Sequence, residues 1–147
     1  MNWDYIAGLF DGEGNIHLNF IKINNRIRAL QLGIRIYNSN EPLLKEVRNF
    51  INSGYIYKKN RTNIFEVMII AKEDVKSFLI NIKDKVVLKK DLIKFVLDNY
   101  HFDRNNNLNF DVPKFRTLCP RREKKDLLKI TLYRILYKSI KTLTFYV

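Results

Sequence analysis

The spacing of apolar residues switches between a helical and a strand period over the first hundred positions. Residues 2–12 carry helical spacing, with Asn2 or Asp4 placed to cap the first turn. After Gly14 the period becomes two. Ile16, Leu18 and Phe20 alternate with Asn15, His17 and Asn19, the mark of a strand buried on one face. Asn24-Asn25 reads as a hairpin turn; the returning strand sets Leu30, Leu32, Ile34 and Ile36 on one face and Gln31, Gly33, Arg35 and Tyr37 on the other. Ser39-Asn40-Glu41-Pro42 is a helix start, followed by the stripe Leu43, Leu44, Val47, Phe50 and Ile51 and an end near Ser53-Gly54. A second hairpin occupies residues 55–70 around a polar turn at 60–63, with Phe65, Val67 and Ile69 opposed to Glu66 and Met68. Lys72-Glu73-Asp74 opens a helix that buries Val75, Phe78, Leu79 and Ile82, and residues 89–100 form another. The order α-β-β-α-β-β-α predicts an α+β domain on a four-stranded antiparallel sheet.

Past residue 103 the pattern weakens. Residues 104–108 read as an Asn-rich loop, Val112-Pro113 and Cys119-Pro120 as breakers, and 127–143 as a basic amphipathic helix. We expect a core at 1–103 and a basic extension at 104–147, helical and packed on that core. No internal repeat of the first hundred residues is visible.

Charge changes the picture more than composition does. The net charge is +12, with a balance of +4 over residues 1–103 and +8 over 104–147. So basic a chain points to a polyanionic partner, nucleic acid or membrane surface. No apolar run reaches the length of a membrane span, and Met-Asn-Trp-Asp does not read as the start of a targeting peptide. The single Cys119 excludes an intrachain disulfide and fits a reducing compartment. The abundance of Ile, Asn and Lys fits an AT-rich coding sequence of an organellar or low-GC genome, and we expect an intracellular setting, in a mitochondrion or chloroplast.

The densest signal is Ile-Ala-Gly-Leu-Phe-Asp-Gly-Glu-Gly at residues 6–14. Gly8 and Gly12 lie four apart and leave one helix face nearly bare, so a second helix can pack there backbone to backbone. Glu13 ends the helix, where Gly12 and Gly14 let the chain turn out. Two such helices side by side bring two carboxylates together, one way to assemble a phosphodiester-cleaving metal site.

This run resembles the LAGLIDADG motif of homing endonucleases, in the single-motif, homodimeric form. The resemblance implies a DNA-binding saddle of four antiparallel strands per subunit, with Ala7, Gly8, Asp11 and Gly12 at the dimer interface. It implies Mg²⁺, replaceable in binding by Mn²⁺ or Ca²⁺, held by Glu13 and the Gly12 carbonyl. Asn40, at the start of the helix after the second strand, takes the place of a polar side chain that helps hold the attacking water; a plain N-cap role suits it equally, and both can coexist. Lys89 takes the place of a lysine near the scissile phosphate, against the alternative of a solvated helix-start lysine. Asp11 is assigned a structural role near the helix end rather than metal binding. The resemblance further implies cleavage of both DNA strands across the minor groove of a long, nearly palindromic site, leaving 3′ overhangs, by an intron-encoded enzyme.

The polar faces of the two hairpins hold the candidate reading groups: Asn15, His17, Asn19, Arg26, Arg28, Gln31, Arg35, Tyr37, Tyr57, Lys59, Arg61 and Glu66. A two-stranded ribbon fits the major groove, where Arg reads guanine and Asn or Gln reads adenine. An antiparallel sheet also commonly leaves one face to water, so the same alternation suits solvent; Glu66 suits either a cytosine amine or solvent. His17 and His101 are not spaced as a metal pair, and one cysteine supplies no zinc set. Trp3 and Tyr5 read as core, and residues 120–125 as a phosphate clamp or a solvated loop. Two other functions stay open at this point: an RNA maturase assisting splicing, and a DNA-binding protein without catalysis.

Overall fold

The computed structural model describes residues 1–119. The basic run at 120–125 and the amphipathic segment at 127–143 lie outside the described residues. The first helix, α1 (Trp3–Glu13), begins where Asn2 accepts the Tyr5 amide at 2.9 Å. It leads directly into β1 (Gly14–Ile23), which pairs antiparallel with β2 (Arg26–Asn38). Asn24 and Asn25 both have positive φ, 50° and 61°, as a tight two-residue hairpin turn requires. Beyond Ile21 the register slips by one residue, so the hairpin tip carries Arg26 and Arg28 out past the core.

α2 (Glu41–Ile51) crosses back, and β3 (Tyr55–Lys58) and β4 (Phe65–Ile69) complete the sheet in the order β1-β2-β4-β3. α3 (Lys72–Ile82) and α4 (Lys90–Asn99) follow. One apolar core joins the sheet face of Ile16, Leu30, Leu32, Ile34, Ile36, Val67 and Ile69 to Ile6, Phe10, Leu44, Val47, Phe78, Leu79, Ile93 and Val96 from the helices. The α+β order and four-stranded antiparallel sheet are those expected from the periodicity. Phe50, placed on the α2 stripe, is exposed yet meets the Trp3 ring edge-on at 5.2 Å.

One reading of the later chain needs correction. Val112-Pro113 opens a helix, α5 (Val112–Leu118), because Asp111 accepts the Lys114 amide at 3.0 Å and Pro113 stands in the first turn, where its missing N–H leaves no bond unmade. Phe110 and Phe115 join the same core. This segment also closes an open sheet edge. β4 pairs with β2 only over Ile34–Asn38, which leaves the rest of that edge without a strand. There the Leu30 amide donates to the Asn106 carbonyl and the Tyr100 hydroxyl donates to the Leu30 carbonyl, each at 2.8 Å. Asn107, buried and at positive φ, holds the turn by bonding the amide and carbonyl of His101.

Candidate active site and nucleic-acid interface

The C-terminal end of α1 stands at the junction of the sheet and the helices. A β-carbon placed at Gly8 or Gly12 would meet nothing within 4 Å, so this helix face is open in a single chain. Ala7 is a correction: expected to face a partner, it is fully buried in its own core. The reason is the helical period, which turns residue 7 by 100° from Gly8 and onto the side shared with Ile6 and Phe10. Gly14 also differs from expectation. Its φ of −104° is ordinary extended backbone. The requirement is space, since a β-carbon there would lie 2.1 Å from Cδ2 of the Phe10 ring.

Asp11 is engaged within its own chain. Its Oδ2 accepts the Val87 amide at 2.5 Å and the Leu88 amide at 3.2 Å, and its Oδ1 accepts the Lys89 amide at 3.1 Å. A carboxylate thus sits at the N-terminal end of α4, where the helix dipole favours negative charge. Lys89 answers in the other direction. Its side chain is 5% exposed, and its ammonium donates to the carbonyls of Phe10 (2.9 Å) and Asp11, over the face of the Phe10 ring. These are last-turn carbonyls of α1 with few helical partners of their own. Burial lowers the Lys89 pKa, and the Asp11 carboxylate opposes that shift. Lys89 is therefore neither a solvated helix-start lysine nor a free amine; it and Asp11 clamp the end of α1 to the start of α4.

Glu13 remains exposed beyond this clamp. The side chain brought to it is Asn38, whose Nδ2 lies 3.5 Å from Glu13 Oε2. Asn38 Oδ1 accepts the Asn40 amide at 2.9 Å, which orients the group toward the acid. Asn40 takes the N-cap role, one of the two read for it, by accepting the Leu43 amide at 3.0 Å. Sequence reading missed Asn38. The signal was the strand register: Gly14 pairs with Ile36, so two residues further on β2 lies level with the helix tip.

The opposite sheet face carries the expected reading groups. The pairs Asn15–Arg35, His17–Gly33, Asn19–Gln31, Tyr37–Glu66 and Glu66–Tyr57 place all of these side chains on one surface. Arg26 and Arg28 stand at the tip of the first hairpin, and Lys59 and Arg61 in the turn of the second. Glu66 is the one acid among these groups. Met68, opposite Arg35 and Tyr55, belongs to the same surface. Burial, and then the charge of Arg35, hold the His17 pKa below its ordinary value near 6.5, so the ring is neutral at physiological pH.

A four-stranded antiparallel sheet with helices on one face and an Arg-bearing polar surface on the other is an α+β fold with a face suited to a polyanion. The family is narrower still. The model of the LAGLIDADG endonuclease family matches residues 6–97, and the chain belongs to that family. Among solved structures, it resembles the homing endonuclease I-CvuI in complex with the I-CreI target, at 14% identity and a TM-score of 0.67 over 83% of this chain and 84% of that one. It resembles the archaeal intron-encoded homing endonuclease I-Vdi141I complexed with DNA at 18% identity, a TM-score of 0.57 and 65% and 64% coverage. For the LAGLIDADG homing endonuclease I-GzeII with its DNA target the values are 22%, 0.54, and 67% and 36%. These likenesses establish the fold. No curated protein sequence matches the chain.

Proposed function

We propose that this chain is a site-specific, double-strand DNA endonuclease that works as a homodimer with a divalent cation. The observation that carries the reading is the exposed Glu13 carboxylate at the end of a helix whose Gly8–Gly12 face is bare, beside a sheet surface lined with base- and phosphate-binding groups. Among the described residues no three His, Cys, Asp or Glu side chains gather as a cation site. At this helix end, among the described residues, one chain offers the exposed Glu13 carboxylate and the Gly12 carbonyl. Packing a second copy along the bare face brings in a second Glu13, and that all-oxygen set fits a hard cation such as Mg²⁺, with Mn²⁺ or Ca²⁺ as substitutes. I-CvuI was solved on DNA in the presence of Mg and of Ca, which supports the same class of ion here.

The bound cation would supply Lewis-acid stabilisation of the phosphate and leaving oxygen. The chain's own groups do the rest. Glu13 and the Gly12 carbonyl hold the ion, and the Asn38 amide, fixed by the Asn40 backbone, is placed to orient a water at Glu13. Lys89 ties down the end of α1 and leaves a positive charge beside a site where acids and phosphate would otherwise repel. The sheet face positions the duplex, the hairpin tips meeting its backbone. The test is to incubate the purified chain with Mg²⁺ and a pool of randomised duplexes and to map the ends. Breaks in both strands at a recurrent, near-palindromic sequence are expected; no cut in any duplex with Mg²⁺ or Mn²⁺ would refute enzymatic activity.

A further inference from the structure

Among the described residues, two buried side-chain polar atoms lack a hydrogen-bond partner: His17 Nδ1 and Arg35 Nε. Both belong to the polar sheet face. His17 lies opposite Gly33 on the neighbouring strand, and Arg35 follows two residues later on that strand and the same face. Buried unpaired polar atoms are uncommon in native chains, and a pair of them on one candidate binding surface sets this spot apart from the rest of the sheet.

Gly33 explains how the imidazole comes to be there. A β-carbon at residue 33 would stand 2.1 Å from His17 Cε1, 2.8 Å from Nδ1 and 3.0 Å from Nε2. The ring therefore rests on bare backbone, sunk into the sheet. Ordinary contact begins at 3.4 Å, so any side chain at 33 must lift the ring by about 1.3 Å or turn it aside. Displacements of that size break hydrogen bonds.

We propose that His17, seated on Gly33, and Arg35 form one base-reading unit, and that Gly33 determines specificity by setting the depth of the His17 ring. The inference rests on the nucleic-acid role proposed for this face and names the residues that carry its selectivity. Arg35 presents its forked donors to a guanine edge. The recessed imidazole leaves room for the adjacent base pair and presents Nε2, the ring nitrogen outside that buried pair, to its edge. With alanine at 33 the ring stands proud of the sheet and occupies the space of the base.

The experiment selects DNA by binding, in Ca²⁺, from a randomised duplex pool, with the full chain and its His17→Ala, Gly33→Ala and doubly substituted forms. His17→Ala and Gly33→Ala should each lose about tenfold or more of the preference at the same base pair of each half-site. The double variant should be no less selective than either single one, because both act through one ring. His17→Phe keeps a ring on Gly33 without nitrogens; it should melt like the native chain and lose the same preference. If Gly33→Ala does not fold, His17→Ala in the same chain should restore folding by removing the collision, and His17→Phe then carries the readout. Retained preference in His17→Ala or His17→Phe, or losses at unrelated base pairs in Gly33→Ala, would overturn the proposal. A native chain with no preference for any duplex would instead overturn the nucleic-acid reading beneath it.

Discussion

Replacing Asp11 by Asn tests the clamp at the end of α1. The carboxylate accepts three successive amides, from Val87, Leu88 and Lys89, at 2.5 to 3.2 Å. Asparagine keeps one acceptor oxygen and turns an NH₂ group toward donors, so one or two of the three bonds are lost. Hydrogen bonds to a charged group contribute roughly 1.5–3 kcal/mol each. Asp11 is only half-buried, so water can rescue part of the loss, and the low end of that range applies. Adding about 0.5 kcal/mol for the lost charge at the N-terminus of α4 gives a destabilisation of about 2–3.5 kcal/mol. For a chain of this size that lowers the melting temperature by roughly 6–12 °C. Urea and thermal melts at fixed protein concentration measure it, since association with a second copy would also shift the midpoint. A double-mutant cycle with Lys89→Met should show coupling of about 1 kcal/mol or more, because each residue bonds the backbone of the other's element. A loss below about 0.5 kcal/mol, or strict additivity with Lys89→Met, would refute the clamp.

Other outcomes follow from the same geometry. Lys89→Met should change stability by less than about 1.5 kcal/mol, because the buried ammonium gives up its desolvation cost along with its bonds, while cleavage falls by about 10²-fold; unchanged cleavage would remove Lys89 from the site. Gly14→Ala should cost roughly 1–3 kcal/mol through the Phe10 ring, whereas Gly12→Ala meets open space in one chain and, with a better helix former in place, should weaken only association, as sedimentation would show. The lowered pKa of His17 means that the unfolded chain takes up a proton first as pH falls below about 6.5; stability present above that value should decline toward the folded pKa, and His17→Gln should remove this part of the acid sensitivity in melts across that range. Tyr100→Phe strands the Leu30 carbonyl on the open edge of β2 and should cost about 1–3 kcal/mol by urea titration.

The local features were legible because they rest on neighbours in sequence. The change of period at Gly14, the Asn24-Asn25 turn and the start of α2 all follow from a few adjacent residues, and the motif at 6–14 located Glu13. Contacts between distant segments were not legible. The bonds from Asp11 to Val87, Leu88 and Lys89 span more than seventy residues, so the structural role read for Asp11 came without its partners, and the anchoring of Lys89 on the end of α1 was not visible. Gly14 and Gly33 are required by rings, Phe10 and His17, whose positions only the folded sheet sets. Asn38 was passed over because the helix-start signal begins one residue later, although the pairing of Gly14 with Ile36 places it at the tip. Asp111-Val112-Pro113 carried the composition of a helix start and was read by its proline alone.

The central proposal is that two copies of this chain meet along α1 and combine their Glu13 carboxylates over a duplex. Its most direct test is Glu13→Gln, assayed on one selected duplex for both binding and cutting in Mg²⁺. The variant should form a dimer that binds this duplex as tightly as the native chain within a few fold and leaves both strands intact. Cutting at the native rate, or binding by a stable single copy, would contradict the proposal.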